Sequence, residues 1–150
     1  MGRLALFPPL TSWQEYATMY PDFLVVGHVT KDLLPDGYCI GGTVTYAAIT
    51  ATRLGRRAAV LTRAEPDLPL AELLPGVEIL CLPSSVTTTF ENVYGPEGRR
   101  QVIHAVAEPL GHADVPPEWR RASIVLLGPV AQEIEPEIVT CFANGLVGVT

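Results

Sequence analysis

The sequence has few cysteines, and their spacing marks neither a metal site nor a disulfide framework. Its three cysteines, Cys39, Cys81 and Cys141, are far apart and odd in number, and each lies in an apolar run. We therefore expect buried free thiols in a reducing, cytoplasmic setting, rather than zinc ligands or paired cystines. No metal-binding residue is expected.

The sequence also lacks a long apolar run and an excess of positive charge. No run approaches the ~18 residues of a membrane span, and the N-terminal LALFPPL (4–10) is too short and proline-broken for a signal peptide. Ten Lys and Arg stand against sixteen Asp and Glu, a formal net charge of −6. Proteins that bind nucleic acids usually present a basic face, so we expect neither a membrane nor a nucleic acid as partner.

Several sequence signatures of enzymes are missing. The sequence contains no P-loop, no dinucleotide-binding fingerprint and no nucleophile elbow. Its three histidines, His28, His104 and His112, do not have the spacing of metal ligands. We expect His28 to be a loop histidine, with a place at a pocket mouth as the alternative, and His104 to face either ligand or solvent.

The length and apolar content indicate one globular domain with a sizeable core. The chain has 150 residues, of which 48% are hydrophobic. Continuous apolar runs are typical of strands that are buried on both faces of a parallel sheet. Five such runs occur, at residues 22–29, 56–63, 76–82, 123–130 and 146–150.

Helical segments alternate with these runs. After Gly42, apolar side chains recur with the spacing of one helix face as far as Leu54, and Gly55 supplies a stop signal. Further short helices are predicted at 68–74, 116–122 and 135–144. The alternation predicts an α/β fold with a mainly parallel, doubly wound, Rossmann-like sheet.

Residues 87–106 interrupt this alternation. Two β-rich runs, 87–94 and 99–106, are separated by Gly-Pro-Glu-Gly, a pattern that predicts a β-hairpin. Both runs mix polar and apolar residues, so neither face suits a dry core. We therefore expect this hairpin to project from the main body.

The predicted strand at 146–150 would lie at a sheet edge with no helix to cover it. We therefore expect a fold that is incomplete at the C-terminus, in a chain that is the N-terminal portion of a longer protein. Residues 1–21, which have no clear period, are expected to be an N-terminal extension, and residues 22–150 to form the α/β domain.

Gly41 and Gly42 stand directly before the first long helix, and two interpretations of the pair are open. In the first interpretation the pair forms only a tight turn. In the second, the absence of a Cβ lets a ligand reach the N–H groups of the first helical turn. Asp32 also has two interpretations. It is a solvated loop carboxylate, or an acceptor-only group that holds two neighbouring hydroxyls of a ligand.

The segments VVGHVTKD (25–32) and GYCIGGTVTYAAITATRLG (37–55), followed by a strand, a hairpin and ASIVLLG, resemble the ribokinase-like (PfkB-type) sugar and nucleoside kinases. The resemblance covers about residues 22–150. It implies that Asp32 holds substrate hydroxyls, that Gly41 and Gly42 open the substrate-side helix, and that residues 87–106 form a lid.

The sequence departs from the family pattern at several positions. Thr30 and Tyr46 stand where many members carry Asn, and we add both to the expected substrate-binding residues. RAEPD (63–67) stands where many members have a Gly-Asp-Asp type loop. These departures concern the identity of the substrate more than the fold.

Members of this family have a second motif, Asp-Thr-x-Gly-Ala-Gly-Asp, in the C-terminal half of their sequence, and this motif carries their catalytic base. Nothing like it occurs in this sequence, so we expect no catalytic residue in the chain. The resemblance implies a kinase that uses ATP and Mg²⁺ to phosphorylate a sugar or nucleoside, with the nucleotide-binding residues outside this chain. The chain alone is expected to be inactive.

Two further expectations remain open beside the kinase. The resemblance leaves room for a homodimer formed through the lid. The alternative function is a non-catalytic module of the same fold that binds a small polyol or has a regulatory role.

Overall fold

The computed structural model of the protein describes residues 20–150, so most of the predicted extension at residues 1–21 lies outside the described residues. In chain order the strands are β1 (Phe23–Val26), β2 (Thr30–Leu34), β3 (Gly37–Gly41), β4 (Ala58–Ala64), β5 (Glu78–Pro83), β6 (Thr88–Gly95), β7 (Gly98–Ala105), β8 (Ile124–Leu127) and β9 (Leu146–Val149). The α-helices are α1 (Thr43–Arg53) and α2 (Leu70–Leu73), and 3₁₀ segments span His112–Asp114, Trp119–Arg121 and Pro136–Phe142.

Five of the described strands form a parallel sheet in the order β5-β4-β1-β8-β9. This confirms the predicted α/β fold with a mainly parallel sheet. Strand β1 lies in the centre, and its Leu24, Val25 and Val26 are completely buried. They form a continuous apolar run because both faces of the sheet are covered.

Different elements cover the two faces. Helix α1 packs Val44, Ala48 and Ala51 against one face, and it ends before Gly55, whose φ of 76° confirms the predicted stop. Trp119 and Phe142, from the 3₁₀ segments, pack on the other face. No helix within residues 20–150 is long and apolar enough to cross a bilayer.

Two of the predicted helices are 3₁₀ segments rather than α-helices. The helix expected at 116–122 is confined to Trp119–Arg121, and the one expected at 135–144 is Pro136–Phe142. The second contains the β-branched run Ile-Val-Thr at 138–140, which has low α-helix propensity. Packing of Ile138 and Phe142 into the core therefore stabilises this segment more than its helix propensity does.

The remaining four described strands form a second sheet in the order β3-β2-β6-β7, which we call the lid. Its β6–β7 pair is the predicted hairpin, with register Glu91↔Val102 and Gly95↔Gly98. The prediction lacked the other half, the β2–β3 hairpin. Asp32, for which a solvated loop carboxylate was one of the two open interpretations, lies within β2. These strands have five residues each and mixed polarity, so their apolar pattern is weak, but Pro35-Asp36-Gly37 between them is a turn signal.

Candidate functional site

The carboxylate of Asp32 lies over Gly41 on the inner face of the lid. Thr30 and Asp32 are two residues apart on β2, so their side chains share one face, and the Thr30 hydroxyl donates to Asp32 Oδ1 at 3.2 Å. A Cβ on Gly41 would stand 2.5 Å from Asp32 Oδ2 and 2.7 Å from Thr30 Oγ1. Glycine at position 41 therefore provides the space in which the carboxylate sits.

Gly42 begins helix α1 with a backbone conformation that favours glycine. Its φ is 89°, and a Cβ there would stand 2.5 Å from the carbonyl oxygen of His28. No side chain caps the start of the helix, although the Thr45 hydroxyl donates to the Gly41 carbonyl at 2.7 Å. The first-turn N–H groups therefore have no side-chain acceptor at the helix start.

These residues line a small polar pocket between the lid and the parallel sheet. The pocket has a volume of about 190 Å³. Its lining residues come from β2, the start of α1, β6, β7 and the loop after β8, and they are Thr30, Asp32, Gly42, Phe90, Gln101 and Val130. Asp32 is the only charged side chain among them, so the lining suits a neutral ligand with hydroxyl groups better than an anionic one.

The structure brings together four of the five expected substrate-binding residues, but Tyr46 lies elsewhere. Thr30, Asp32 and Gly42 line the pocket, and Gly41 lies beneath the carboxylate. Tyr46 is 64% exposed and lines a separate, mainly apolar groove of about 670 Å³ beside α1. That groove is larger, but no carboxylate is among its lining residues, whereas the smaller pocket contains the Asp32 carboxylate.

His28 lies in the loop between β1 and β2, as expected from the sequence, and it is completely buried there. Its ring Nε2 lies 3.0 Å from the carbonyl oxygen of Glu108, which can only accept, so Nε2 carries the proton. Nδ1 then accepts from the Thr88 hydroxyl at 2.7 Å, and Thr88 Oγ1 accepts from the Ala107 N–H at 3.0 Å. Burial lowers the pKa of His28, although the nearby Glu133 carboxylate acts in the opposite direction.

Glu133 is a buried acidic residue that the sequence reading missed. Its carboxylate accepts from the backbone N–H groups of His28, Val130 and Ala131. The sequence signal was available, because an acidic side chain follows the strand-ending Gly-Pro of β8 by only a few residues. Without the tertiary structure, nothing distinguished it from a solvated surface carboxylate.

The face of the lid opposite that of Thr30 and Asp32, which we call the outer face, is joined by an ion pair to the segment after β4. Lys31 on β2 pairs with Glu65 after β4, and the hydrogen bond from Lys31 holds the pKa of Glu65 below its ordinary value. The Glu65 N–H also donates to Thr87 Oγ1 at 3.1 Å. His104 lies on this outer face, 2.8 Å from Glu91 and exposed to solvent, so it does not face the pocket.

No group of three or more His, Cys, Asp or Glu side chains in residues 20–150 is arranged to hold a metal ion. No described residue is therefore assigned to Mg²⁺.

The fold is that of the ribokinase-like kinases, as comparison with solved structures shows. A pyrophosphate-dependent kinase in the ribokinase family, complexed with a pyrophosphate analog and myo-inositol, superimposes with a TM-score of 0.69 at 25% identity over 85% of this chain. A sulfate complex of a pyrophosphate-dependent kinase of that family gives 0.68 at 26% identity over 85%. Arabidopsis thaliana ribokinase complexed with ribose and ATP gives 0.63 at 21% identity over 87%.

The chain spans about half the length of these structures, 48% of the first two and 53% of the third. No protein-family model matches the sequence, and no curated protein matches it significantly. The solved structures thus confirm the resemblance inferred from the Gly-Gly segment and the lid.

Proposed function

We propose that this chain forms the acceptor side of a kinase that transfers a phosphoryl group to a hydroxyl of a small polyol, either a sugar or a nucleoside. The observation that carries the proposal is the Asp32 carboxylate. It is held by Thr30 over Gly41, beside the start of α1, in a pocket between the lid and the parallel sheet. Ligands of open α/β sheets bind in this position, outside the carboxyl ends of the strands.

The pocket residues have the properties that positioning an acceptor hydroxyl requires. Phosphoryl transfer depends on orientation and electrostatic stabilisation more than on covalent help from the protein. An ionised Asp32 only accepts hydrogen bonds, so two neighbouring hydroxyls can donate to its two oxygens. The lid would exclude water, which competes as a phosphoryl acceptor. No described residue is assigned as the catalytic base.

The phosphoryl donor proposed for the whole protein is ATP with Mg²⁺. Structures with bound ATP are among the similar ones, including Arabidopsis thaliana ribokinase. Pyrophosphate is a second donor to test, because the two similar structures with the higher TM-scores are pyrophosphate-dependent kinases. ATP or pyrophosphate would supply the transferred phosphoryl group, and the residues on this chain would bind and orient the acceptor.

For the acceptor, the pocket favours a compact neutral polyol. One aromatic side chain, Phe90, and one amide, Gln101, accompany the carboxylate. A cyclitol or monosaccharide fits this lining, and myo-inositol is bound in one of the similar structures. A role for Tyr46 would require a substrate that extends toward the separate groove beside α1.

We also propose that the protein acts in the cytoplasm.

The central experiment measures binding before catalysis. Titration calorimetry with myo-inositol, ribose, fructose and adenosine should detect at least one ligand, and Asp32→Asn should abolish that binding. Asp36→Asn is the matched control, because Asp36 is exposed in the turn of the same hairpin and its replacement should change nothing. Absence of binding to the whole panel, or equal binding by the two variants, would contradict the proposal.

A phosphorylation assay separates the kinase from the non-catalytic alternative. Each polyol that binds is incubated with Mg²⁺, either ATP or pyrophosphate, and a protein that contains this chain together with the family's complete C-terminal half. The phosphorylated product is then measured. Binding without turnover, in a protein that carries the family's complete C-terminal half, would favour a binding or regulatory module.

We further propose that the lid joins two copies of the chain. Leu34 and Ile103 on its inner face are 54% and 52% exposed, and Tyr94 is 74% exposed. Such a group of exposed apolar side chains is typical of an interaction surface. Analytical ultracentrifugation should give a dimer, and Tyr94→Asp should shift it to a monomer.

A further inference from the structure

Glu133 organises the loop that closes one wall of the pocket. Its Oε2 accepts from the N–H groups of Val130 at 3.0 Å and Ala131 at 2.8 Å. Its Oε1 accepts from the His28 N–H, also at 3.0 Å. Hydrogen bonds to a charged acceptor are stronger than neutral ones, and this side chain is only 2% exposed. One carboxylate thus joins the segment after β8 to the segment after β1.

This arrangement determines the path of the loop between β8 and the last 3₁₀ segment. Gln132, directly before Glu133, has a φ of 61°, the one positive φ of a non-glycine residue in the described chain. Such a conformation persists only where the surroundings hold it. The Glu133 carbonyl accepts from the Leu110 N–H at 2.8 Å, so backbone and side chain are both held. Val130, at the start of this path, lines the polyol pocket.

His28 extends the same connection to the lid. Its backbone N–H is bound by Glu133, and its ring accepts from Thr88 at the first residue of β6. Thr88 lies two residues before Phe90, which is another lining residue of the pocket. The ring also donates to the carbonyl of Glu108, where the chain leaves the lid. His28 therefore contacts both ends of the segment that forms the β6–β7 hairpin.

We propose that Glu133, His28 and Thr88 are positioning residues. They hold Val130 and Phe90, which line two sides of the pocket, at a fixed position relative to Asp32. None of the three lines the pocket, so they act through the residues that do. An effect of these residues on polyol binding rests on the proposed function. Their effect on the positions of the loop and the lid does not depend on any ligand.

Hydrogen exchange measured by NMR on the whole chain tests the structural content. In Glu133→Gln an NH₂ group replaces one acceptor oxygen, so the amides of His28, Val130 and Ala131 should exchange at least about tenfold faster. Glu137→Gln is the matched control, because Glu137 is an exposed carboxylate on the neighbouring 3₁₀ segment. Equal exchange of these three amides in the two variants would overturn the proposal.

Thr88→Val tests the connection to the lid with a nearly isosteric change. It removes the hydroxyl that His28 accepts from, and exchange at Ala107 should accelerate by a similar factor because its acceptor is lost. Thr89→Val is the control, since Thr89 Oγ1 donates only to the carbonyl of Thr87. If Glu133→Gln fails to fold, Thr88→Val and its control still decide whether the lid is held this way.

The functional consequence is measured as affinity for myo-inositol and ribose. Glu133→Gln and Thr88→Val should weaken binding of the preferred polyol about tenfold or more at a temperature where both remain folded, and the two controls should not. Val130→Ala, which leaves the Glu133 carboxylate intact, should weaken binding without faster exchange at Ala131. Unchanged affinity in Glu133→Gln would overturn the positioning role. If the wild type binds no polyol, the proposed function fails, and the exchange results still decide whether Glu133 holds the loop.

Discussion

Asp32 and Gly41 are diagonal neighbours across the β2–β3 hairpin, in which Gly41 pairs with Thr30, and the Asp32 carboxylate fills the space that a side chain at position 41 would occupy. A Cβ on Gly41 would stand 2.5 Å from Asp32 Oδ2. The neighbouring strand thus sets the position of the acidic group directly, and the close approach requires glycine on that strand.

Gly41→Ala is therefore expected to displace the Asp32 carboxylate and to weaken polyol binding at least about tenfold, since small displacements of a binding group are costly. Titration calorimetry measures the effect. Gly95→Ala is the control, because a Cβ there meets nothing within 4 Å and Gly95 belongs to the same sheet. Similar affinities in the two variants would show that the carboxylate tolerates the methyl group.

Gly42→Ala is expected to destabilise the fold. The substitution combines a strained φ of 89° with a Cβ 2.5 Å from the His28 carbonyl, and a residue forced into a sparsely populated conformation costs about 1–3 kcal/mol. Urea unfolding should therefore show a lower midpoint than in the wild type. Gly148→Ala, where the new Cβ meets only an ordinary contact at 3.6 Å, should change the midpoint much less.

Acid should destabilise the protein through His28. Burial lowers the pKa of this histidine in the folded state below its ordinary value, against the opposing influence of Glu133. The unfolded state then binds more protons than the folded state as pH falls through 6.5, so the free energy of unfolding decreases in that window. Below the folded-state pKa the loss levels off.

The measurement compares urea unfolding at several pH values for the wild type and His28→Gln. The variant is less stable at neutral pH, but its stability should fall less between pH values of about 7 and 5, since the group that titrates there is gone. The charged and titratable groups that act on the His28 ring are Glu133, Glu108 and Arg63. Parallel pH profiles for the two proteins would contradict the prediction.

Cys39 is expected to react faster with a thiol reagent than the other two cysteines. In contrast to the buried thiol expected from the sequence, Cys39 is exposed on β3 directly opposite Asp32, whereas burial raises the pKa values of Cys81 and Cys141. Thiolates are the reactive form, so the raised pKa values of Cys81 and Cys141 slow their reaction, and the exposed Cys39 is modified first. A bound polyol on Asp32 should slow the labelling. Mass spectrometry of partially modified protein identifies the site, and Cys39→Ser should remove the fast phase.

The central part of the fold could be predicted because its sequence pattern is strong. The runs at β1, β4, β5, β8 and β9 are apolar, and those of the inner strands β1 and β4 are buried on both faces. The helix after Gly42 and its end before Gly55 follow from local preferences of glycine and from the spacing of Val44, Ala48 and Ala51. These features depend on short stretches of chain, so the sequence by itself determined them.

The tertiary structure decided what lies around the pocket. Strand β2 pairs with β3 on one side and, on the other, with β6, which lies more than 50 residues further along. The weak apolar pattern of β2 and β3 therefore did not predict them. Tyr46 lines the groove beside α1 and is not among the residues that line the Asp32 pocket. His28 and Glu133 are 105 residues apart in the chain and form a hydrogen bond. From the sequence, polar side chains such as these are expected at the surface. Only long-range packing supplies the hydrogen-bond partners that allow them to be buried.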